Sequence, residues 1–339
     1  MQPFVFEYAT SPAAAVRAGG RTQASSAVTN PTQYLAGGTT LLDLMKLDVM
    51  QPQSVVDING LADTALGRID VMPDGVRLGA LVRMAQAAEH RAILRGCPMI
   101  TQALKLAASQ QIRNMASLGG NVLQRTRCTY FRDVSYTACN KRNPGSGCAA
   151  MDGFNRDHAV LGTSENCIAT YPGDFAQALV ALDARVEVIG ADGARTIPFA
   201  SLHRRPGDTP DVETVLRPGD MIAGFRVALA PWMRRSIYLK VRDRESYEFA
   251  LASAAVALDM RDGEVADARI ALGGVATVPW RAREAEEALL GHPIDDNTLT
   301  AVTQTAFALA RTREHNTFKV ALGQRTLMRA LRAAAAMQV

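Results

Sequence analysis

Four of the five cysteines, Cys128, Cys139, Cys148 and Cys167, fall within 40 residues with the spacing C-x10-C-x8-C-x18-C. Thiolates are soft ligands, so such a group could hold zinc or an iron–sulfur cluster. No CxxC pair occurs, which argues against a zinc finger or ribbon. Four readings stay open on spacing alone: a disulfide pair, a four-thiolate zinc staple, a four-cysteine cluster, or unrelated buried thiols. Arg125, Arg127, Arg132, Lys141 and Arg142 surround the first three cysteines. Their charge should lower thiolate pKa values and raise a cluster's reduction potential. His158 lies in the same stretch and reads as solvated, or as a neighbour of the ligands, rather than as a ligand. Cys97, between Gly96 and Pro98, reads as a buried structural thiol.

Two Gly-Gly motifs form the second candidate. Ala36-Gly37-Gly38-Thr39-Thr40, running on into Leu41, could expose successive backbone N–H groups and two hydroxyls to an anion. Glycine would let the backbone approach a pyrophosphate closely. The plainer reading is a tight strand-to-helix turn with threonine caps. Ser117-Leu118-Gly119-Gly120-Asn121 lies about 80 residues downstream and reads as a second Gly-Gly turn. As a pair, the motifs suggest one elongated diphosphate ligand held from two sides. Neither is GxGxxG or a Walker A loop.

The elements that must position these residues begin with a small α/β unit. Strands are expected at Phe4–Tyr8, Tyr34–Ala36 and Ser54–Ile58, and helices at Ala13–Ala18 and Leu41–Leu47. A second unit would carry a strand at Val76–Leu78, helices at Met84–Leu94 and Ile100–Ser109, then Asp174–Leu182 (helix) and Arg185–Ile189 (strand). Between them, residues 124–170 are rich in Gly, Asn, Arg and Cys and show neither helical nor strand periodicity. A structureless insertion of that length requires a function or a staple. A third unit would hold a strand at Ile237–Val241 and a hairpin, Ala252–Met260 and Val265–Leu272, turning at Asp262-Gly263. Its helices would span Arg281–Leu290, Asp296–Arg311 and Phe318–Met337. The expected divisions are residues 1–60, 61–230 with the cysteine insertion, and 231–339.

Composition excludes several classes. A chain of 339 residues with 48% hydrophobic and 21% charged residues packs a core, and its net charge of +4 is too mild to indicate nucleic acid. No apolar run approaches the ~20 residues of a membrane span. The N-terminus lacks a basic segment followed by an apolar one, so no signal peptide is expected. The five histidines form no paired metal spacing, and no hydrolase or kinase signature appears.

LAGGTTLLDLM and RNMASLGGN resemble the two flavin-diphosphate loops of the FAD subunits of the xanthine dehydrogenase, aldehyde oxidoreductase and carbon monoxide dehydrogenase family. PGDFAQALVALDARVEVIG, YLKVRDRESYEFALASAAVALDM and ARIALGGVATVPWRAREAEEALLG extend the likeness over nearly the whole chain. The insertion from Cys128 to Asp174 resembles that of heterotrimeric bacterial aldehyde oxidoreductases and of 4-hydroxybenzoyl-CoA reductase, where it carries an extra 4Fe–4S cluster.

The resemblance implies an α+β fold: a two-subdomain FAD-binding domain of the vanillyl-alcohol-oxidase/PCMH type, followed by a C-terminal domain of the CO dehydrogenase flavoprotein type. It implies that Ala36, Gly37, Gly38, Thr39, Thr40 and Leu41 wrap the FAD pyrophosphate. Ser117, Gly119, Gly120, Asn121 and Leu123 would form the second loop, with Leu123 near the flavin ring. Asp174 would bind the ribose or adenine side, and Lys240 would reach the isoalloxazine edge. Cys128, Cys139, Cys148 and Cys167 would ligate the 4Fe–4S cluster, and no acid, base or nucleophile is expected. A large molybdenum-cofactor subunit would oxidise an aldehyde. A small 2Fe–2S subunit would relay electrons to this chain, which would reduce an external acceptor. The complex would be cytoplasmic, or periplasmic if a partner carries an export signal. A stand-alone FAD oxidase and a zinc-stapled dinucleotide-binding module are the competing readings.

Overall fold

The computed structural model describes residues 1–21 and 24–339. Three sheets form its frame. The first is parallel, with strands β1 (Val5–Tyr8), β2 (Thr32–Leu35) and β3 (Ser54–Asp57) in the order β1-β3-β2. Helix Pro12–Gly19 crosses from β1 to β2. Ser11 caps it by accepting from the Ala14 N–H, and Pro12 opens it where no N–H is needed. Parallel neighbours require such crossovers, and the second one here carries the first Gly-Gly motif.

The second sheet is antiparallel: β4 (Ile69–Met72), β5 (Gly75–Gly79), β6 (Arg185–Gly190), β7 (Gly193–Pro198) and β8 (Met221–Ala228), in the order β4-β5-β8-β6-β7. Met221 and Ala223 of β8 join Ala15, Val56, Ile58 and Leu81 in one apolar cluster. That cluster fastens the first sheet to the second. The third sheet is β9 (Ser236–Val241), β10 (Ala252–Arg261), β11 (Glu264–Gly273) and β12 (Trp280–Arg281), in the order β12-β11-β10-β9. The β10–β11 hairpin turns at Asp262 and Gly263, both at positive φ. Helix Phe318–Ala335 buries Leu327, Ala330, Leu331 and Ala334 in the same core as Ala254, Val256 and Leu258 of β10.

Several expected elements differ. The helix expected over Met84–Leu94 is two, Met84–Glu89 and Arg91–Gly96, because His90 is extended, with ψ of 121°. Ala87, Ala88 and Ile93 thereby reach one core from two short helices. β4, β7 and β8 carried no expectation; β8 pairs with β5 and β6, both distant from it in sequence. Arg281, expected to open a helix, lies instead in β12. The second Gly-Gly motif is not a turn: Gly119 and Gly120 lie in the short helix Leu118–Val122. Residues 124–170 hold one helical turn, Thr129–Arg132, and are otherwise irregular. The insertion ends in the third core, where Val160 and Leu161 donate their N–H groups to the Val275 carbonyl. Among the described residues no helix is long and apolar enough to cross a membrane.

Candidate functional site

A cleft of about 230 Å³ opens between the first two sheets, with Thr277 and Val278 of the loop between β11 and β12 also in its lining. Ala36 to Leu41 line one side of it, and Ser117, Gly119, Gly120 and Leu123 line the other. Residues some 80 positions apart thus face one another. The reason is a contact of main chains: a Cβ on Gly37 would collide with the Met115 carbonyl oxygen. Gly38 has φ of +73°, the left-handed region, which brings the chain from β2 into helix Leu41–Lys46.

The two motifs are chemically unlike. Among the described residues, the N–H groups of Gly37, Gly38, Thr39 and Thr40 have no acceptor in the protein. Thr40 occupies the N-cap position of Leu41–Lys46, yet its hydroxyl makes no capping bond. The threonine-capped turn, the plainer reading of this motif, is therefore absent. A run of free amides and hydroxyls on a cleft is a set of donors awaiting an anion.

The second motif has spent its amides. Leu118 N–H donates to the Val82 carbonyl at 2.9 Å and Gly119 N–H to the Ala80 carbonyl at 2.8 Å. Ser117 Oγ caps the helix, accepting from Gly120 N–H at 3.2 Å. Gly119 is bare because a Cβ would come within 3.0 Å of the Ala80 Cβ. This motif offers shape and a serine hydroxyl hydrogen rather than an amide cradle.

The structure places three expected cofactor residues outside the cleft lining. Asp174 and Lys240 are buried and bonded to each other, Nζ to Oδ2 at 2.8 Å. Tyr238 Oη–H donates to the other Asp174 oxygen at 2.5 Å, and Lys240 also donates to the Leu106 carbonyl at 3.1 Å. Burial, then the Asp174 charge, pushes the Tyr238 phenol far up, so it stays a donor. Asp174 and Lys240 were expected at the flavin; here each side chain is bonded to the other in the joint between helix Phe175–Ala181 and β9. Asn121 also lies outside the lining, and its Oδ1 is buried without a partner.

Other residues line the cleft without any motif to announce them. Glu213 accepts from Arg125 at 2.7 Å and lies 3.4 Å from Lys141 Nζ. Burial alone would raise the Glu213 carboxyl; the charges of Arg125 and Lys141 more than offset this and hold it below the usual range. His203 shares a hydrogen bond with the Val122 carbonyl at 3.1 Å, and burial lowers its pKa to about 4, so it is neutral. Their positions depend on a chain segment, 203–214, whose sequence shows no periodic signal.

The cysteine insertion closes a second, small cavity beside the cleft. Cys128, Cys139, Cys148 and Cys167 all line it, and Lys141 and Ala169 line both spaces. All five cysteines are free thiols. An isolated antiparallel bridge sets Cys139 opposite Cys148. Burial pushes the Cys128 thiol up to about 12 and Cys167 up to about 11, and raises Cys148. The neighbouring thiols add to each shift. The surrounding basic residues were expected to lower these values, but most are engaged elsewhere. Arg127 and Arg132 bind Asp43, Arg125 binds Glu213, and Arg142 binds the carbonyls of Tyr130 and Phe131. Lys141 alone lowers a thiol, Cys167. Backbone N–H groups approach the sulfurs: Ala169 reaches Cys167 Sγ at 3.5 Å, and Ala150 and Ile168 approach Cys148. Among the described residues no set of three or more His, Cys, Asp or Glu side chains closes tightly enough for a single ion. Cys97 is the buried structural thiol expected, 2% exposed and pushed up to about 12 by burial.

Comparison with known proteins gives the class of this fold. Residues 12–229 match the family described as FAD binding domain in molybdopterin dehydrogenase. Residues 237–334 match the CO dehydrogenase flavoprotein C-terminal domain. The chain belongs to the family of FAD-binding medium subunits of molybdenum hydroxylases, a class of oxidoreductases. It is 45% identical over 329 residues to the aldehyde oxidoreductase FAD-binding subunit PaoB of Escherichia coli strain K12, covering 96% of each chain. It is 25% identical to the glyceraldehyde dehydrogenase medium chain of Sulfolobus acidocaldarius, over 78% of this chain and 76% of that one. The carbon monoxide dehydrogenase of Hydrogenophaga pseudoflava has a chain that superposes with a TM-score of 0.75 at 26% identity, covering 99% of both.

Proposed function

We propose that this chain is the FAD and 4Fe–4S electron-transfer subunit of a molybdenum-dependent aldehyde oxidoreductase. The single observation that carries the reading is the cleft wall at Gly37–Thr40: four amides and two hydroxyls without protein acceptors, facing Ser117, Gly120 and Leu123. Such donors fit a diphosphate. The bound flavin and cluster would supply electron-carrier chemistry; the protein's residues bind, orient and shield them.

In this reading Gly37 to Thr40 hold the diphosphate, Ser117 adds a hydroxyl donor, and Leu123 packs near the flavin ring. Glu213, Arg125 and Lys141 set the charge of the wall between the two cavities. The four cysteines hold the cluster. Burial raises the thiols of Cys128, Cys148 and Cys167 and keeps their protons on, so metal binding must displace those protons. All four cysteines line one small cavity, a four-thiol donor set of the kind that holds an iron–sulfur cluster. Ligand bonds would also supply the order that residues 124–170 lack in regular structure. We further divide the chain at 60/61 and 230/231, and assign it a large molybdenum-cofactor partner, a small 2Fe–2S partner and an external electron acceptor. The relatives' names as medium chains and subunits support a shared complex rather than a stand-alone oxidase.

The test is an absorption spectrum of the anaerobically purified chain, with flavin, iron and zinc quantified. FAD with about four irons per chain is the expected result. Zinc in place of iron would end the cluster assignment while keeping the flavin one. A folded chain without flavin would sink both. Serine at any one of the four cysteines should lower iron content, whereas Cys97→Ala should leave it unchanged.

A further inference from the structure

His158 is 5% exposed, and its ring ends on a cysteine: Nε2 lies 3.1 Å from Cys128 Sγ. The other ring nitrogen, Nδ1, is buried and has no partner. These two facts bear on where the ring hydrogen sits. A hydrogen on Nδ1 alone would face the Asn155 carbonyl without completing a hydrogen bond and would turn an Nε2 lone pair toward sulfur. A hydrogen on Nε2 gives an N–H···S bond and leaves only an unfilled lone pair at Nδ1. A doubly protonated ring would still donate from Nε2. The direction of the bond is the same in each case that the geometry favours.

The ring is held from two sides. His158 N–H donates to the Asn155 carbonyl at 3.0 Å, and the fully buried Asn316 donates to the carbonyl of the next residue, Ala159, at 3.2 Å. Asn155 in turn donates to the Ala150 carbonyl at 3.1 Å and accepts from His315 N–H at 3.1 Å. Tyr130 flanks the imidazole with ring centroids 6.1 Å apart. Two buried asparagines thus tie the histidine's backbone both to the cysteine loop and to the turn before helix Phe318–Ala335.

We infer that His158 donates an Nε2–H hydrogen bond to Cys128 Sγ and raises the reduction potential of the group that the four cysteines hold. This rests on the cluster assignment proposed above. Hydrogen bonds to ligand sulfur withdraw charge and favour the reduced state. His158 is a positioning residue: it acts through Cys128.

The experiment uses the full chain, purified anaerobically, as wild type, His158→Leu and His158→Gln. Glutamine places an N–H donor near the site of Nε2; leucine removes it. Iron and sulfide are quantified first, and the cluster is then titrated redox-potentiometrically by paramagnetic resonance. At the wild-type midpoint, His158→Leu should show a reduced-to-oxidised ratio about tenfold lower, equivalent to about 59 mV for one electron. His158→Gln should stay within about threefold of wild type. Wild-type chain with 15N-labelled histidine should show a weak nitrogen coupling to the reduced cluster. This last measurement decides the matter if His158→Leu fails to assemble. Full iron with an unshifted His158→Leu, or no 15N coupling in wild type, overturns the role of His158 alone. A wild-type chain without iron and sulfide overturns the cluster assignment, and this inference with it.

Discussion

Gly37 and Met115 touch through their main chains, so closely that a β-carbon on Gly37 has no room beside the Met115 carbonyl. That contact brings a crossover of the first sheet against the segment leading into the helix Leu118–Val122. It creates the cleft, and it makes the cleft sensitive to one methyl group.

Gly37→Ala should therefore push the two loops apart. Overpacking of this kind costs typically 1–3 kcal/mol. The expected outcome is a lower melting temperature together with a sharp loss of bound flavin. Stoichiometric flavin and wild-type melting in this variant would show that the loops are free to adjust.

Thr40 and Ser117 should separate cleanly. Thr40 makes no capping bond, whereas Ser117 caps its helix through Gly120 N–H. Thr40→Val should leave stability within about 0.5 kcal/mol of wild type while weakening flavin binding. Ser117→Ala should cost about 1 kcal/mol from the lost cap alone. Denaturant melts of the flavin-free proteins, paired with flavin titrations, would read both effects. A destabilised Thr40→Val would mean that its hydroxyl has a partner within the protein.

The Asp174–Lys240 pair predicts the opposite pattern. Both side chains are nearly fully buried, at 4% and 1% exposure. Removing one partner leaves an uncompensated buried charge, at about 3–5 kcal/mol. Lys240→Met should lower stability strongly, and adding Asp174→Leu should recover part of the loss. Flavin affinity of whatever remains folded should be close to wild type, because neither residue lines the cleft. A selective loss of flavin with normal stability would return the pair to the binding site.

Glu213 gives a pH signature. Its carboxyl is depressed when folded, despite burial, through Arg125 and Lys141. A depressed carboxylate contributes stability that is fully present above its unfolded value, about 4.3. That contribution is lost as pH falls through the lower, folded value. Stability of wild type and Glu213→Gln should therefore differ most near neutral pH and converge in acid. Parallel pH profiles between pH 3 and 7 would exclude a role for Glu213 in acid unfolding.

Sequence and tertiary structure determined different things about this protein. Local signals were enough for the helix opened by Ser11-Pro12, the hairpin at Asp262-Gly263 and the irregular texture of residues 124–170. Caps, φ preferences and missing periodicity act over a few residues, so they are visible in the chain itself. The two Gly-Gly motifs were visible as well, but as a symmetric pair. Only the fold showed that Gly37–Thr40 keeps its amides free while Leu118 and Gly119 spend theirs on Val82 and Ala80. Only the fold paired Lys240 with Asp174. It also buried His158 against Cys128 and brought Glu213 beside Arg125. Hydrogen-bond satisfaction and desolvation depend on which distant segments meet, and sequence spacing carries no record of those meetings.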